Sequence, residues 1–542
     1  MIFICLKPQY KIVICRGFCA TWSLLMAIYM LCDSPCVLKR FLRTSWRKNV
    51  MSCVKWPDLL TACRILDQIR IRIRVFHKKC YIYDMTLIDT SPGRIREIRG
   101  KQARYFHSGA TLDAAVRKAN LKALEKAVLK WEKPLCDALW SDLHKSYEEA
   151  YLTEISILLG EIRTHIRKIG KWTKPVRKPT PLKMFPSRSR VLSEPLGTAL
   201  IISPWNYPVQ LLLTPLVGAI SAGCTAVLKP SPYVPTVSKV IEDMIADTFP
   251  EEYVAVIQGH RNTNTALLAE RWDMIFFTGS PAFGRVVMSS AARNLTPVVL
   301  ELGGKSPCII DKDADIEIAA KRVAWGKSLN AGQTCIAPDY LMVHEDVKDE
   351  FVAALGRAFT ALLGENPQES RHFVRIVNDA AFDRLTGYLQ DGKIVFGGRT
   401  DKAERYIEPT ILEDVSPDAP VMQEEIFGPI FPVLTFRNID EVIEFVTARE
   451  KPLALYHFGK NGDKVLKHTT SGGSCLNDTI MHIANENVPF GGVGMSGMGS
   501  YHGKLSFDAF THYRSNIISP TWIDLPFRYM PYKFFRKVKS LL

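Results

Sequence analysis

Two residues with complementary chemistry, Glu301 and Cys335, lie in the middle of the chain. A thiolate can attack a carbonyl carbon and a carboxylate can then activate water, so the pair suits covalent catalysis. The structural alternative, a buried inert cysteine and a surface glutamate, is commoner for an arbitrary pair. Residue type alone does not decide between them.

Both residues adjoin elements that can position them. Glu301 ends an apolar run and precedes a glycine pair in LELGGKSP (residues 300–307), and Cys335 lies in NAGQTCIAP (330–338). Residues 316–328 have helical periodicity. The predicted core face of this helix comprises Ile318, Ala319, Val323 and Ala324. This order predicts one cleft for the thiol and the carboxylate.

The motifs resemble those of the aldehyde dehydrogenase superfamily, in particular its class 3 branch. In family order from about Ile95 onward they are SPWNYP, LKPS, FTGS, ELGGKSP, NAGQTC, QEEIFGP and PFGGVG. The resemblance implies an α/β fold with a Rossmann-type NAD(P)-binding domain, an α/β catalytic domain and a small oligomerisation arm. It also implies an aldehyde substrate and a homodimer.

The positive charge is concentrated at the N-terminal end. The 542 residues have a net charge of +15, and residues 1–100 hold 18 Lys and Arg against 6 Asp and Glu. The remaining 442 residues hold 52 basic and 49 acidic residues. This balance gives little support to nucleic-acid binding.

The cysteines are divided in the same way. Eight of the 13 lie within the first 80 residues, and the others are widely spaced without a CxxC pair. This pattern predicts neither a disulfide framework nor a metal site. A reduced, cytoplasmic compartment suits a catalytic thiol.

Residues 1–90 form an atypical basic, cysteine-rich extension. Residues 17–32 are a 16-residue apolar run, shorter than the about 20 residues of a membrane-spanning helix, and lack a clear signal-peptide cleavage site. Residues 69–75 alternate as in an edge strand. We favour Met85 as the native start; a membrane anchor or a targeting segment are alternatives that the intact mass of the native protein decides.

The following residues predict helices first and then alternating strands and helices. Helices are expected at 111–130, 133–144 and 147–170, and an extended hairpin, or alternatively a solvated linker, at 171–189. Strands are expected at 198–202, 226–228, 254–257, 274–277 and 298–300, with helices at 211–222, 234–249 and 281–292. Such β-α-β units bind a dinucleotide beyond the carboxyl ends of their strands.

The resemblance divides the chain after the extension into three parts. Residues 91–302 form the NAD(P)-binding domain with a bridging segment near 171–192, and residues 303–476 form the catalytic domain. Residues 477–542 return to the cofactor domain, add a bridging strand and end in a basic, aromatic tail. The tail is too short and charged to span a bilayer, but it suits a membrane surface or the partner subunit.

Ser280 follows a predicted strand and opens a helix, where Pro281 suits the first position. The free N–H groups of that helix end favour a phosphate. By resemblance, Gly279, Ser280 and Gly284 bind the cofactor's pyrophosphate. A literal GxGxxG at residues 492–497 follows no clear strand, so we expect a tight loop near the active site and not a dinucleotide fingerprint.

The remaining cofactor residues are assigned by resemblance. Lys229 is expected to bind the adenosine ribose. Pro232 stands where many NAD-preferring relatives have a glutamate, so we expect use of NADP as well as NAD. Glu425 and Phe427 are expected at the nicotinamide ribose and ring. Two further cofactor-binding residues are Trp205 and Leu302.

Asn206, in SPWNYP, completes the predicted catalytic set. By resemblance its amide and the Cys335 N–H form an oxyanion hole, Cys335 forms a thioester, and Glu301 activates the hydrolytic water. The expected activity is oxidation of medium- or long-chain aliphatic or aromatic aldehydes. Two alternatives remain open, a CoA-acylating relative, which generally dispenses with Glu301, and a catalytically silent scaffold. We expect a cytoplasmic enzyme, with membrane association if residues 1–84 are native.

Overall fold

The computed structural model describes residues 88–524, 526–532 and 534–540. The hypotheses about residues 17–32, residues 69–75 and Met85 concern residues outside these ranges and stay predictions.

The helices are α1 (Pro92–His107), α2 (Ala114–Leu143), α3 (Tyr147–Ala150), α4 (Ser156–Trp172), α5 (Gln210–Ala222), α6 (Pro235–Thr248), α7 (Arg261–Ala269), α8 (Pro281–Ala292), α9 (Ile316–Ser328), α10 (Lys348–Leu363), α11 (Asp379–Tyr388), α12 (Pro420–Gln423), α13 (Ile439–Thr447), α14 (Gly462–His468), α15 (Lys504–Ala509) and α16 (Phe535–Lys539). The strands are β1 (Val176–Lys178), β2 (Arg188–Pro195), β3 (Thr198–Ile202), β4 (Thr225–Lys229), β5 (Val254–Val256), β6 (Met274–Gly279), β7 (Val298–Leu302), β8 (Pro307–Ile310), β9 (Tyr340–His344), β10 (Lys393–Phe396), β11 (Thr400–Asp401), β12 (Tyr406–Ile407), β13 (Thr410–Glu413), β14 (Ile430–Phe436), β15 (Ala454–Phe458), β16 (Gly473–Leu476), β17 (Gly497–Met498) and β18 (Thr511–Ile518).

Helix α2 is a single helix, whereas the sequence predicted two, and it continues through Pro134. The Asp113 side chain accepts a hydrogen bond from the Ala115 N–H and caps its start. His144 ends it in a left-handed conformation with φ 58°. The predicted break at residues 131–132 was wrong, because buried residues on both sides of it, such as Val128 and Leu135, pack in one core and stabilise the continuous helix.

The expected single helix at 147–170 is also interrupted. One turn of π-helix, Tyr151–Ile155, lies between α3 and α4. Such turns insert one extra residue and occur frequently at functional sites. Helix α4 then extends to Trp172, so the first two residues of the segment predicted to be extended are helical.

One sheet follows the strand predictions closely. Its order is β17-β7-β6-β3-β4-β5, and every pairing is parallel except that of β17 with β7. The central strand β3 is buried along its whole length, as expected of a parallel strand covered on both faces. Helix α7, between β5 and β6, was absent from the predicted elements because its nine residues are mostly small and polar.

A second sheet has the order β10-β13-β14-β9-β8-β15-β16, in which only the pairing of β10 with β13 is antiparallel. Helix α9 leads from β8 towards β9 and has the predicted bounds. Ala319, Val323 and Ala324 are buried as predicted. Ile318, however, is 46% exposed, because its position on the helix faces away from the core.

A third, antiparallel sheet consists of β1, β2 and β18 in that order. Its long pair joins Arg188–Pro195 to Thr511–Ile518 over eight residues, and most of β18 is exposed. This sheet occupies the predicted bridging segment and return strand. No helix among the described residues has the length and apolarity required to cross a membrane.

The apolar core predicts a clear contrast between two leucine substitutions. Leu213 in α5 is 0% exposed, whereas Leu112 is 58% exposed. We expect Leu213→Ala to lower the free energy of unfolding by about 2–5 kcal/mol, because it leaves a cavity. Leu112→Ala should change it by less than about 0.5 kcal/mol. Urea denaturation of both variants checks this, and equal destabilisation would contradict the assigned core.

Candidate active site

Glu301 lies near the carboxyl end of β7, between two neighbouring strands. It pairs with Thr278 of β6 on one side and with Gly497 of β17 on the other. Its side chain is 3% exposed, and neither carboxylate oxygen has a hydrogen-bond partner within the described residues. Burial raises the pKa of the Glu301 carboxyl well above its usual value. Once ionised, this carboxylate is a stronger base than a solvated glutamate.

Cys335 lies on the loop after α9, behind a left-handed turn. Asn330, Ala331 and Gly332 have φ values of 51°, 52° and 72°. Gln333 holds this turn, since its Nε2 donates to the Asn330 carbonyl at 3.0 Å. The same side chain donates to the Arg375 backbone carbonyl and accepts from the Val377 N–H. Hydrogen bonds of the Gln333 side chain therefore hold the loop that carries Cys335, which has no regular secondary structure.

Asn206 meets this loop from the turn between β3 and α5. Its side chain is 2% exposed, and its Nδ2 donates to the Gln333 carbonyl at 3.0 Å. An amide nitrogen carries two N–H donors, so this bond uses one of them. Next to it, the hydroxyls of Tyr207 and Thr334 share a hydrogen bond of 2.7 Å.

The surroundings of Cys335 raise the pKa of its thiol. Burial is the main reason that its pKa lies above the usual value, and the carboxyls of Glu425 and Glu301 add to this effect. The backbone N–H groups of Cys335 and Ile336 act in the opposite direction. Those N–H groups therefore lie where they can stabilise negative charge at this point.

Glu301 and Cys335 both line a large cleft. Its volume is about 1170 Å³. Nine of the predicted site residues line it, namely Trp205, Asn206, Gly279, Ser280, Glu301, Leu302, Cys335, Glu425 and Phe427. Lys229 and Gly284 do not belong to this lining, although Gly284 lies on α8, whose residues Pro281, Ala282 and Arg285 do. The structure therefore gathers most of the predicted set in one place.

Helix α8 begins at the cleft. The Ser280 side chain accepts a hydrogen bond from the Phe283 N–H, and Pro281 occupies the first turn, as predicted. A Cβ atom on Gly284 would lie 2.7 Å from Leu302 Cδ2, so glycine permits this close packing of helix on strand without a shift of the leucine side chain. The Thr278 hydroxyl is buried in the lining and has no hydrogen-bond partner within the described ranges.

Lys229 ends β4 and is 1% exposed. Its Nζ donates to the Pro230 carbonyl at 2.7 Å. Burial lowers the pKa of this ammonium to about 8, while the Asp89 carboxylate opposes that shift.

Glu425 and Phe427 form the opposite wall. Burial raises the pKa of Glu425 to about 8. A Cβ atom on Gly303 would lie 2.0 Å from Glu425 Oε2, so this glycine permits the carboxylate's close approach. The Phe427 and Trp205 rings meet edge to face, with centroids 5.4 Å apart.

Lys305 is a site-building residue that the sequence analysis did not identify. Its Nζ donates to Asp339 Oδ1 at 2.5 Å and to the carbonyls of Val421 and Glu424 at 2.8 Å. Asp339 also accepts the Ile426 N–H at 2.8 Å. Lys305 therefore ties the ELGGKSP segment to the loop that carries Glu425. Its place inside a named motif was the available signal, but its partners are distant in sequence.

The GxGxxG segment has a structural role beside Glu301. Gly497 pairs with Glu301, and its φ of 147° and close approach to the Leu300 carbonyl suit glycine. The segment forms a turn and a short edge strand instead of joining a strand to a helix. The expected tight loop near the active site is present.

The chain is similar to known proteins of one family. The aldehyde dehydrogenase family pattern matches residues 89–516. The chain is 47% identical over 434 residues to 4,4'-diaponeurosporen-aldehyde dehydrogenase of Staphylococcus aureus, covering 79% of this chain and 95% of the relative. It is 44% identical over 446 residues to a dimeric NADP-preferring aldehyde dehydrogenase of Canis lupus familiaris, covering 81% and 98%.

The solved structure of Staphylococcus aureus AldH in a substrate-bound state has a TM-score of 0.81 and 45% identity, covering 82% of this chain and 99% of that one. Indole-3-acetaldehyde dehydrogenase complexed with NAD+ has a TM-score of 0.73 and 26% identity, covering 80% and 90%. The chain belongs to the aldehyde dehydrogenase family. The predicted α/β fold, the enzyme class and the use of NAD or NADP are confirmed, and the activity is oxidation of aldehydes.

The cleft fits a nicotinamide dinucleotide on two structural observations. The N–H groups at the start of α8 open into it beside the buried Thr278 hydroxyl that lacks a partner in the described chain. Glycines at 279, 303 and 304 leave space along the lining for a ligand to approach the backbone.

The raised pKa of Glu301 predicts a pH-dependent stability difference. The neutral carboxyl is favoured in the folded state, so its stabilising contribution is complete below about pH 4.5 and is lost as the pH rises through the raised pKa. We expect the melting temperature of Glu301→Gln to gain on the wild type as pH increases. Thermal melts from pH 5 upward test this. The same substitution at exposed Glu350 is the control, and equal trends would refute the explanation.

Proposed function

We propose that this enzyme oxidises aldehydes to carboxylic acids through a covalent thioester on Cys335. The observation that carries the proposal is the shared cleft, which brings together the Cys335 thiol, the buried Glu301 carboxyl and the Asn206 amide. These groups supply a nucleophile, a base and an oxyanion donor.

In the first step, the Cys335 thiol loses its proton to solvent, Sγ attacks the aldehyde carbon, and the carbonyl oxygen gains negative charge. The remaining N–H of the Asn206 amide and the Cys335 backbone N–H stabilise that oxygen. NAD(P), when bound, accepts the hydride that leaves the substrate carbon. The product of this half-reaction is an acyl thioester on Cys335.

In the second step, the ionised Glu301 carboxylate takes a proton from water, and the resulting hydroxide attacks the thioester carbon. The C–S bond breaks, the carboxylic acid leaves, and Glu301 returns the proton to the Cys335 thiolate. Because its carboxyl is buried without a hydrogen-bond partner in the described chain, its basicity is higher than that of a solvated glutamate. The base therefore works best when the pH is high enough to ionise it.

Most of the residues proposed to hold the cofactor line the same cleft. Gly279, Ser280 and Gly284 would bind the pyrophosphate at the start of α8, and Lys229 the adenosine ribose. Glu425 and Phe427 would contact the nicotinamide ribose and ring. The lining residues Trp205 and Leu302 complete this proposed set.

The proposed substrates are medium- or long-chain aliphatic or aromatic aldehydes. Apolar residues of the lining that have no assigned cofactor role, Leu211 and Met422, support a substrate with an apolar body. The name of the Staphylococcus aureus relative, 4,4'-diaponeurosporen-aldehyde dehydrogenase, supports an aldehyde of this kind.

We propose a homodimer in which the sheet of β1, β2 and β18 is the bridging arm. The exposed side chains of Ile517 and Ile518 on β18 and the word dimeric in the canine relative's name support this. The proposed division is an NAD(P)-binding domain at 91–302, a catalytic domain at 303–476 and a returning segment at 477–542. The proposed location is the cytoplasm.

The two catalytic roles predict different kinetic defects. Cys335→Ser should lose NADH and NADPH formation, because the nucleophile is gone. Glu301→Gln should retain a first-turnover burst but slow steady-state turnover about 10²–10⁴-fold, because thioester hydrolysis lacks its base. Stopped-flow absorbance measures both phases. Normal hydrolysis in Glu301→Gln would disprove the base assignment, and CoA-dependent turnover would favour the acylating alternative.

The residue at position 232 predicts cofactor choice. Pro232→Glu would place a carboxylate near the proposed adenosine ribose site, where it repels a 2′-phosphate. We expect the NADP dissociation constant to rise at least about tenfold relative to that of NAD. Calorimetric titration of both cofactors measures the ratio. The control is Pro232→Gln, and an equal shift in both variants would exclude the charge as the cause.

A further inference from the structure

We propose that the buried ion pair of Lys145 and Glu154 positions Asn206 for the attack step, a role that rests on the function proposed above. Lys145 Nζ lies 2.7 Å from Glu154 Oε1, and both side chains are 0% exposed. Burying two charges is costly unless the geometry is good and the remaining donors and acceptors are used. In this pair, the remaining donors of Lys145 and acceptors of Glu154 bind one short segment, residues 206–210.

The lysine holds Asn206 itself. Lys145 follows His144, whose left-handed conformation ends α2. Its Nζ donates to the Asn206 carbonyl at 2.9 Å and lies 4.2 Å from the centroid of the Tyr207 ring. A charge-assisted bond in a dry interior is stronger than a neutral one. The lysine therefore restrains the backbone that carries the proposed oxyanion donor.

The glutamate holds the residues that follow. Glu154 Oε2 accepts the Val209 N–H at 2.8 Å and the Gln210 N–H at 3.3 Å, where α5 begins. Glu154 lies in the π-helical turn, in which Leu152 is 66% exposed. The turn directs the carboxylate inward while its neighbour faces solvent.

Asn330 connects this arrangement to the nucleophile loop. Its Nδ2 donates to the Asn206 carbonyl at 3.1 Å and to the Gln333 carbonyl at 3.0 Å. The Asn206 carbonyl thus has two donors, and the Asn206 side chain binds the same Gln333 carbonyl. The position of the amide relative to Cys335 depends on both the ion pair and Asn330.

Stability alone is a weak explanation for this pair. Replacing a buried ion pair with uncharged residues of similar size is often neutral or stabilising. A pair whose bonds converge on a catalytic segment has a different advantage, because it fixes a donor within the narrow tolerance of an oxyanion hole. Lys145 and Glu154 are positioning residues in this proposal, since neither is among the lining residues of the cleft.

The test is a double-mutant cycle on the burst rate of NADH formation at saturating aldehyde. Lys145→Met combined with Glu154→Gln removes both charges and keeps an acceptor for the Val209 N–H. We expect the burst rate to fall at least about tenfold. In an Asn206→Ala background the same change should alter the rate by less than about twofold, because the positioned amide is absent. The KM for NAD should change little.

Equal fold losses in both backgrounds, or no loss in the wild-type background, would overturn the proposal. The matched control is Arg117→Met, because Arg117 is also a buried cation that donates to backbone carbonyls, those of Thr111 and Leu112. It should leave the burst rate unchanged. If the variant with both Lys145→Met and Glu154→Gln does not fold, Glu154→Gln alone must lower the burst rate in the wild-type background but not in the Asn206→Ala background.

The cycle also separates this proposal from the function on which it rests. An unchanged burst rate in Asn206→Ala would reject the oxyanion assignment, and the positioning role with it. A slow Asn206→Ala burst combined with independent, multiplicative losses would reject only the positioning role.

Discussion

The left-handed turn in front of Cys335 is the constraint on which the catalytic geometry depends. Asn330 and Ala331 occupy a backbone region that costs about 1–2 kcal/mol for each residue with a Cβ atom. Gln333 offsets that cost with three hydrogen bonds, and Asn330 adds its own bond to the Gln333 carbonyl. The position of the Cys335 thiol therefore depends on these hydrogen bonds to the surrounding structure.

The parallel strands were predictable from sequence because their burial on both faces leaves continuous apolar runs bounded by turn residues. The predicted starts of β3, β6 and β7 agree with the structure, and their ends differ by no more than two residues. The helix ahead of Cys335 was predictable for a related reason, since an apolar periodicity marked it. The prediction that Ile318, one of its four core residues, is buried was nevertheless wrong. Several apolar residues around a helix do not show which of its faces packs against the core.

The supporting shell of the site was not predictable in this way. Lys305 binds residues 339, 421 and 424, and Lys145 binds residues 154 and 206. Each bond joins segments that only the folded topology brings together. The motifs identified the reacting groups through resemblance, whereas single-sequence patterns carry no record of which distant carbonyl or carboxylate a buried lysine meets.

The short connection between the two large sheets has a further consequence. Strand β7, with the proposed base, ends at Leu302, and β8 of the other sheet begins at Pro307. Cys335 follows β8, so the base and the nucleophile belong to opposite sides of this connection. Within the connection, Lys305 binds Asp339 and the carbonyls of Val421 and Glu424. Because only residues 303–306 separate β7 from β8, the end of the strand that carries the proposed base cannot move far from the start of the strand that leads to the nucleophile.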